Sequence, residues 1–338
     1  MTPLLIERTR GLLLARGRDP VRMVQGLATA DIAAVTTARG AYTAFLTARG
    51  RMVADARVFR RGDDAAPELL VDVDPGAREP LIQHLRRFVP PLFARFEDVS
   101  DAWAVVGVYG PGASNALASV APGAEPDAPE ETVVPVTSGE TVVPVPSGEP
   151  EASAAPDDAG APLSPGNGGF AVRTAITGDD GWDLFVPAER RDRLVADLAA
   201  VTRPGTAEAL DALRVAAGRP RWGRELTEGV IPLEAGLLDR AISQTKGCYT
   251  GQEVIVRILH RGHVNRHLRR LVFEADPPAP GTELFEPGNA RPRGVVTSAV
   301  ANQAGALGLG YVRREVEPPA ELRAGGPDGP AVGVEALD

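Results

Sequence analysis

The chain has 338 residues, 43% hydrophobic and 24% charged, an ordinary globular balance with room for two domains. No apolar run approaches the ~20 residues that cross a bilayer. The first 17 residues are broken by Glu7, Arg8, Arg10 and Arg16, and there is one cysteine. A membrane span, a secretory signal, an internal disulfide and an iron–sulfur cluster held by this chain's own thiolates are therefore not expected, and the cytoplasm is the expected compartment. The formal charge of −9 belongs to one segment: residues 121–165 hold nine acids and neither Lys nor Arg, so the remainder sums to zero.

In chain order, residues 10–16, with Leu12, Leu13 and Leu14, read as a buried strand. Asp19-Pro20 marks a helix start, Asp as N-cap and Pro at the first position, and that helix is expected to end near Gly26. The segment Gln25-Gly26-Leu27-Ala28-Thr29-Ala30-Asp31 then reads as one helix ending at Gly26 and another capped by Thr29. Residues 41–47 and 51–59 flank Arg49-Gly50 as a hairpin. Asp55 falls inside its second strand, where Asp is disfavoured. It is either a functional carboxylate or a solvent-facing group beside Arg57. A strand at 68–73, a helix at 79–89, strands at 92–98 and 102–109, and a short helix at 113–120 follow.

Residues 121–165 break the pattern with ten prolines and no aromatic residue. The nonapeptide at 132–140 recurs at 141–149 with Pro146 in place of Thr137. Such a stretch cannot bury enough apolar surface to offset its ordering entropy, so a disordered surface-loop insertion is expected over 121–165. Strands at 170–177 and 182–186 come next. An amphipathic helix at 187–201 carries Leu194, Val195 and Leu198 on one face. A helix at 206–217 is ended by Gly218.

The octapeptide Lys246-Gly247-Cys248-Tyr249-Thr250-Gly251-Gln252-Glu253 holds both the single cysteine and the single lysine of the chain. Thr250 and Glu253 have capping-box spacing, and Val254, Ile255, Ile258 and Leu259 continue with helical spacing. A helix starting at Thr250 would set Cys248 just ahead of its positive end. That end and Lys246 both favour the thiolate form, which makes Cys248 a candidate reactive thiol. A small buried cysteine packed as a hydrophobe is the alternative. A basic belt follows, with Arg257, Arg261, Arg266, Arg269 and Arg270 among three histidines and no acid. The arginines argue against a metal site there, and none is expected. An anion patch is one reading and a solvated face the other. No aromatic residue interleaves with these arginines, which argues against stacking of single-stranded nucleic acid. Short strands at 271–274, 283–286, 294–300, 307–313, 321–323 and 332–336 then suggest a small β-barrel.

The octapeptide resembles the K-G-C-[FY]-x-G-Q-E signature of the YgfZ family of folate-binding proteins, relatives of the aminomethyltransferase (T-protein) of the glycine cleavage system. Residues 25–31 resemble that family's Q-G-x-x-T-x-D segment. Residues 221–226 and 231–234 resemble its run into the signature. Residues 50–55 resemble the Gly-rich hairpin of the T-protein, which bears an acidic residue near the folate. Residues 213–218 resemble L-R-x-E-A-G, with Ala216 where the transferase carries a folate-binding Glu.

The resemblance implies an α+β fold. A T-protein-like folate-binding domain would be formed by residues 1–120 and 166–262, split by the insertion, with a C-terminal six-stranded β-barrel domain at 263–338 and folate in a central channel. It implies tetrahydrofolate or a one-carbon-substituted folate as ligand, met by Asp55, Tyr249, Gln252, Glu253, Arg257 and Arg261, with Cys248 and Lys246 as the reactive thiol and its partner. The implied function is that of a folate-binding accessory protein for iron–sulfur cluster assembly or repair in client enzymes, with assembly proteins as partners and a link to tRNA modification. Classical turnover is not expected on that reading. Two alternatives stand beside it. One is an aminomethyltransferase, against which the cysteine-containing octapeptide and Ala216 both count. The other is a non-enzymatic RNA-binding or scaffold protein, favoured by the basic belt alone.

Overall fold

The computed structural model describes residues 2–62, 66–137, 168–178, 180–302 and 305–337. The first strands are β1 (Leu4–Arg8), β2 (Gly11–Arg16), β3 (Ala41–Leu46), β4 (Met52–Arg61), β5 (Glu68–Val73), β6 (Arg95–Asp98) and β7 (Trp103–Tyr109). They are followed by β8 (Val133–Val136), β9 (Gly169–Arg173), β10 (Gly181–Pro187) and β11 (Arg203–Pro204). The last six are β12 (Arg266–Phe273), β13 (Glu283–Phe285), β14 (Pro292–Asn302), β15 (Gly305–Arg313), β16 (Ala320–Ala324) and β17 (Ala331–Glu335). The helices are α1 (Pro20–Gln25), α2 (Pro75–Phe88), α3 (Ala113–Ala116), α4 (Arg191–Leu198), α5 (Ala207–Ala216), α6 (Leu238–Ala241) and α7 (Gln252–Arg261).

These elements form two sheets and a barrel. One sheet has the order β3-β4-β5-β2-β6, the other β11-β1-β7-β10-β9-β8, and β12-β15-β14-β13-β16-β17 close into the six-stranded barrel expected from the spacing of the last strands. The first sheet buries its outer face, with Leu13, Val58 and Val71, against Leu81 and Leu85 of α2. The second buries Val106, Trp182 and Leu184 against Leu194 and Leu198 of α4. Their inner faces meet each other through Leu12, Phe59 and Leu70 on one side and Val105, Phe170 and Phe185 on the other.

Because side chains alternate along a strand, the inner face of β4 reads Asp55, Arg57, Phe59. Phe59 packs into the aromatic cluster with Phe170 and Phe185, at centroid distances of 5.5 and 5.6 Å. Asp55 and Arg57 continue the same face away from that cluster. An apolar core at one end of the inter-sheet space thus gives way to a charged interior at the other.

Several boundaries differ from expectation for local reasons. β1 precedes the first expected strand. α2 begins at Pro75 rather than residue 79, because the Asp74 side chain accepts the backbone N–H of Gly76 at 2.9 Å and Pro occupies the first helical position. Thr29 caps no helix. It is fully buried, its hydroxyl donates to the carbonyl of Ala241 at 2.6 Å, and the next short turn, Ile32–Ala34, is capped by Asp31.

The expected disorder of 121–165 is wrong for residues 121–137. Ala121 is fully buried, β8 pairs with β9, and Val134 and Val136 enter the core of the second sheet. A strand edge accepts this Pro-rich stretch because Pro135 lies in the sheet's edge strand. Residues 138–165 lie outside the described residues.

Candidate ligand-binding site

The octapeptide loop is tied to the Gln25–Asp31 segment through its single lysine. Lys246 Nζ donates to the carbonyls of Gln25, Ala28 and Ala30 at 2.7, 2.8 and 2.9 Å. An ammonium has three hydrogens, so its donors are all engaged by backbone and none is left for the Cys248 sulfur. Burial lowers its pKa to about 8, against a pull upward from Asp31. It also stands 5.3 Å from the ring centroid of buried Tyr249. Thr250 N–H donates to the Gly26 carbonyl at 3.1 Å, and Ser243 N–H to that of Thr29 at 3.0 Å. The two stretches singled out in the sequence therefore form one folded unit.

α7 starts two residues later than expected. Its N-cap is Gly251, in a left-handed conformation (φ 84°), and no side chain caps it, so Thr250 and Glu253 do not form the expected capping box. Close packing explains the glycine: a Cβ there would lie 2.6 Å from the Thr47 carbonyl oxygen. Gly50 faces the helix in turn, and a Cβ on it would meet the Val254 Cβ at 2.8 Å. The octapeptide is thus wedged between the β3–β4 hairpin and the segment after α1. Cys248 stays exposed on that loop.

Between the inner sheet faces and α5 lies a cavity of about 420 Å³. Its wall contains seven arginines (Arg8, Arg10, Arg57, Arg214, Arg219, Arg221, Arg240) and five acids (Glu7, Asp55, Asp74, Glu131, Asp211). An arginine-rich wall favours a ligand that carries anionic groups.

Three of the arginines are fixed in a buried ionic network. Arg57 bridges Asp72 and Asp183 at 2.6 and 2.8 Å, Arg8 holds Asp183 at 2.8 Å, and Arg10 holds Asp72 at 2.6 Å. The Tyr109 hydroxyl also donates to Asp183. Burial pushes both carboxyls up, but the adjacent arginines overcome it and hold Asp72 and Asp183 below the usual carboxylate range.

Asp55 and Glu131 are different. Asp55 Oδ2 accepts the Tyr42 hydroxyl at 3.0 Å, while its buried Oδ1 has no hydrogen-bond partner among the described residues. Burial raises its pKa, with Arg10 pulling the other way. The Arg240 guanidinium, from α6, lies 5.1 Å from the centroid of the Tyr42 ring. Thr29 holds the carbonyl of the next residue, Ala241, so α6 links the octapeptide unit to the cavity wall.

At the far side of the cavity, Arg214 joins α5 to the barrel. It donates to Glu225 at 2.9 Å and to Ser298 at 2.8 Å. Ser298 donates to Glu225 in turn at 2.6 Å.

The structure brings together only part of the expected site. Asp55 lines the cavity; Cys248, Lys246, Tyr249, Gln252, Glu253, Arg257 and Arg261 do not. Tyr249 is buried in the core between the hairpin and the barrel. Gln252 and Glu253 are in the first turn of α7, and Arg257 and Arg261 are exposed on it. Ala216 is exposed and its carbonyl accepts from Arg270 at 2.5 Å. Sequence reasoning missed Tyr42, Glu131, Arg8, Arg10 and Arg240. The one local signal was Arg8 at the end of the mostly apolar β1; Arg10 lies in the connection to β2 and Arg240 on α6, where nothing in the sequence marks them. Among the described residues no group of three His, Cys, Asp or Glu side chains is placed to hold a metal, and no helix is long and apolar enough to cross a membrane.

Two facing sheets around an arginine-walled cavity, with a closed six-stranded barrel after them, define a GcvT-like fold. Residues 9–138 match the family model of the GCVT N-terminal domain. The chain is 28% identical over 318 residues to the aminomethyltransferase of Rubrobacter xylanophilus, covering 91% of this chain and 75% of the relative. It is 26% identical over 325 residues to that of Thermus thermophilus, covering 95% and 82%. The crystal structure of glycine cleavage system aminomethyltransferase T from Bartonella henselae superposes with a TM-score of 0.80 at 19% identity, over 99% of this chain and 86% of that one. These matches support the GcvT-like family. They fit the transferase alternative better than the iron–sulfur accessory reading, which they do not address.

Proposed function

We propose that this chain is a tetrahydrofolate-binding one-carbon protein whose ligand lies in the central cavity. The observation that carries the reading is Asp55: a carboxyl placed by a strand, held by Tyr42, with one oxygen unpartnered in a cavity walled by seven arginines. The volume, about 420 Å³, is in the range of small-molecule sites. The arginines suit the carboxylate tail of a folate, and the buried carboxyls suit N–H groups of its ring. Bound tetrahydrofolate supplies a nucleophilic nitrogen that accepts a one-carbon unit. Asp55, its pKa raised by burial, holds or passes a proton beside it, and Tyr42 fixes its orientation.

Aminomethyl transfer from a protein carrier is the reaction that the named relatives favour. A second reading rests on Cys248. An exposed thiol on a loop clamped by Lys246, outside the cavity wall, is placed to meet another protein rather than the folate. That arrangement fits an accessory role toward iron–sulfur enzymes, with Cys248 acting on the partner.

Titration calorimetry with tetrahydrofolate on wild type and Asp55→Ala tests the common claim, with saturable binding expected in the first and a loss of about ten-fold or more in the second. Tetrahydrofolate-dependent release of ammonia from an aminomethylated carrier decides for the transferase. Restoration of a [4Fe–4S] enzyme in cells lacking the protein, by wild type and not by Cys248→Ala, decides for the accessory role.

A further inference from the structure

Glu131 is a buried acid with one carboxylate oxygen, Oε2, left unpartnered among the described residues. It is 7% exposed and lines the cavity. Its neighbour Glu130 pairs with Arg240 at 3.0 Å and Arg219 at 3.5 Å, and Arg57, the other arginine that acts on Glu131, is engaged by Asp72 and Asp183. Asp72 is held by Arg10 and Asp183 by Arg8, with Arg57 shared between them.

The backbone of Glu131 is also unusual. At φ 62° it is the non-glycine residue with positive φ among the described residues. Two strand-like bonds pin it there: its N–H donates to the Arg173 carbonyl at 3.0 Å, and its carbonyl accepts from Gly40 N–H at 2.8 Å. A left-handed glutamate and an unpaired buried carboxyl both cost stability. Costs that coincide at a cavity wall mark residues kept for a ligand.

We propose that Glu131 is a ligand-recognition residue of the cavity that accepts a pair of N–H donors on a neutral ring, such as the 2-amino and ring N–H edge of a pterin. The inference rests on the folate reading above. A metal cation is a poor occupant, since the wall is dominated by arginines and offers no cluster of ligating groups among the described residues. An anionic group would be repelled by the carboxylate and drawn to those arginines instead. What remains for an unpaired carboxylate is a bidentate donor pair. The ligand would then lie with its donor edge at Glu131 and its anionic end on the arginines, which fixes its direction in the cavity. The sequence gives no hint of this, because Glu131 stands in an acidic, Pro-rich run that reads as disorder.

The test is calorimetric titration at pH 7.5 of tetrahydrofolate, and of its analogue lacking the 2-amino group, into wild type, Glu131→Gln and Glu131→Gly. Glycine suits the positive φ, so the second variant keeps the backbone even where the first perturbs it. Both variants should bind tetrahydrofolate about ten-fold or more weaker than wild type, while the analogue should bind all three within about three-fold. A purely structural role would weaken both ligands alike. Wild-type binding with unchanged affinity in the folded variants, or equal losses for both ligands, overturns this inference and leaves the folate reading standing. Absence of binding to wild type brings down both.

Discussion

Replacing Glu131 by Gln should make the ligand-free protein more stable, and increasingly so as the pH rises. In the folded state burial raises the Glu131 pKa from the ordinary 4.5 to about 7. Arg57 and Arg240 pull it down, and Glu130 and Asp72 push it up. A carboxyl whose folded-state value is raised binds its proton more tightly in the fold than in the unfolded chain. Its favourable contribution is therefore complete below about pH 4.5 and is lost as the pH rises through about 7. Between pH 5 and pH 8.5 the wild type should lose about 2–3 kcal/mol from this one group, at ~1.4 kcal/mol per tenfold difference in proton affinity. Glutamine, similar in shape and without a charge, loses nothing of the kind.

The assay is urea or thermal unfolding of both proteins across that range. Taking the difference between them cancels every other titrating group, His84 and His267 included. At about 2 °C per kcal/mol for a chain of this size, the gap in Tm should widen by about 5 °C. A gap that stays constant with pH would refute the picture of an unpartnered carboxyl in a closed wall.

Four further outcomes follow from the same coordinates. Asp183→Ala leaves Arg8 and Arg57 short of a counter-charge in the core and should cost about 3–5 kcal/mol in chemical denaturation. Lys246→Met removes three bonds to the carbonyls of Gln25, Ala28 and Ala30 at a partly exposed site. It should cost about 2 kcal/mol, with faster hydrogen exchange confined to residues 25–31 and the octapeptide. Cys248→Ala, at an exposed position, should leave stability within about 0.5 kcal/mol and tetrahydrofolate affinity unchanged, so that any loss of restored iron–sulfur enzyme activity reports the thiol itself. Gly251→Ala forces a side chain to within 2.6 Å of the Thr47 carbonyl at a positive φ and should destabilise the fold by about 2 kcal/mol or more, read as a fall in Tm.

Much of the scaffold was legible because the pattern and the local chemistry agree. Asp19-Pro20 starts a helix, the hairpin turns at Arg49-Gly50, and the last short strands close a barrel, as their spacing implies. Asp55 could be singled out because a carboxylate in mid-strand needs a reason, and the cavity supplies one. Thr250 and Glu253 misled because capping-box spacing was met by a loop that had to pass the hairpin, and Gly251 turns the chain there instead.

The arginine network was hidden for another reason. Arg8, Arg10 and Arg57 find their carboxylates across two sheets, at residues 72 and 183, and no local pattern carries that pairing. The placing of Cys248 and Asp55 in different surroundings was likewise invisible, since both stretches resemble one family and the sequence gives no distance between them.

The most direct test is a crystal structure of the protein with 5-formyltetrahydrofolate bound. The account predicts the ring inside the central cavity, with a ring nitrogen within hydrogen-bond distance of Asp55 and the tail carboxylates on the wall arginines. Density for the folate on the exposed face of α7 beside Cys248, with the cavity filled only by water, would contradict it.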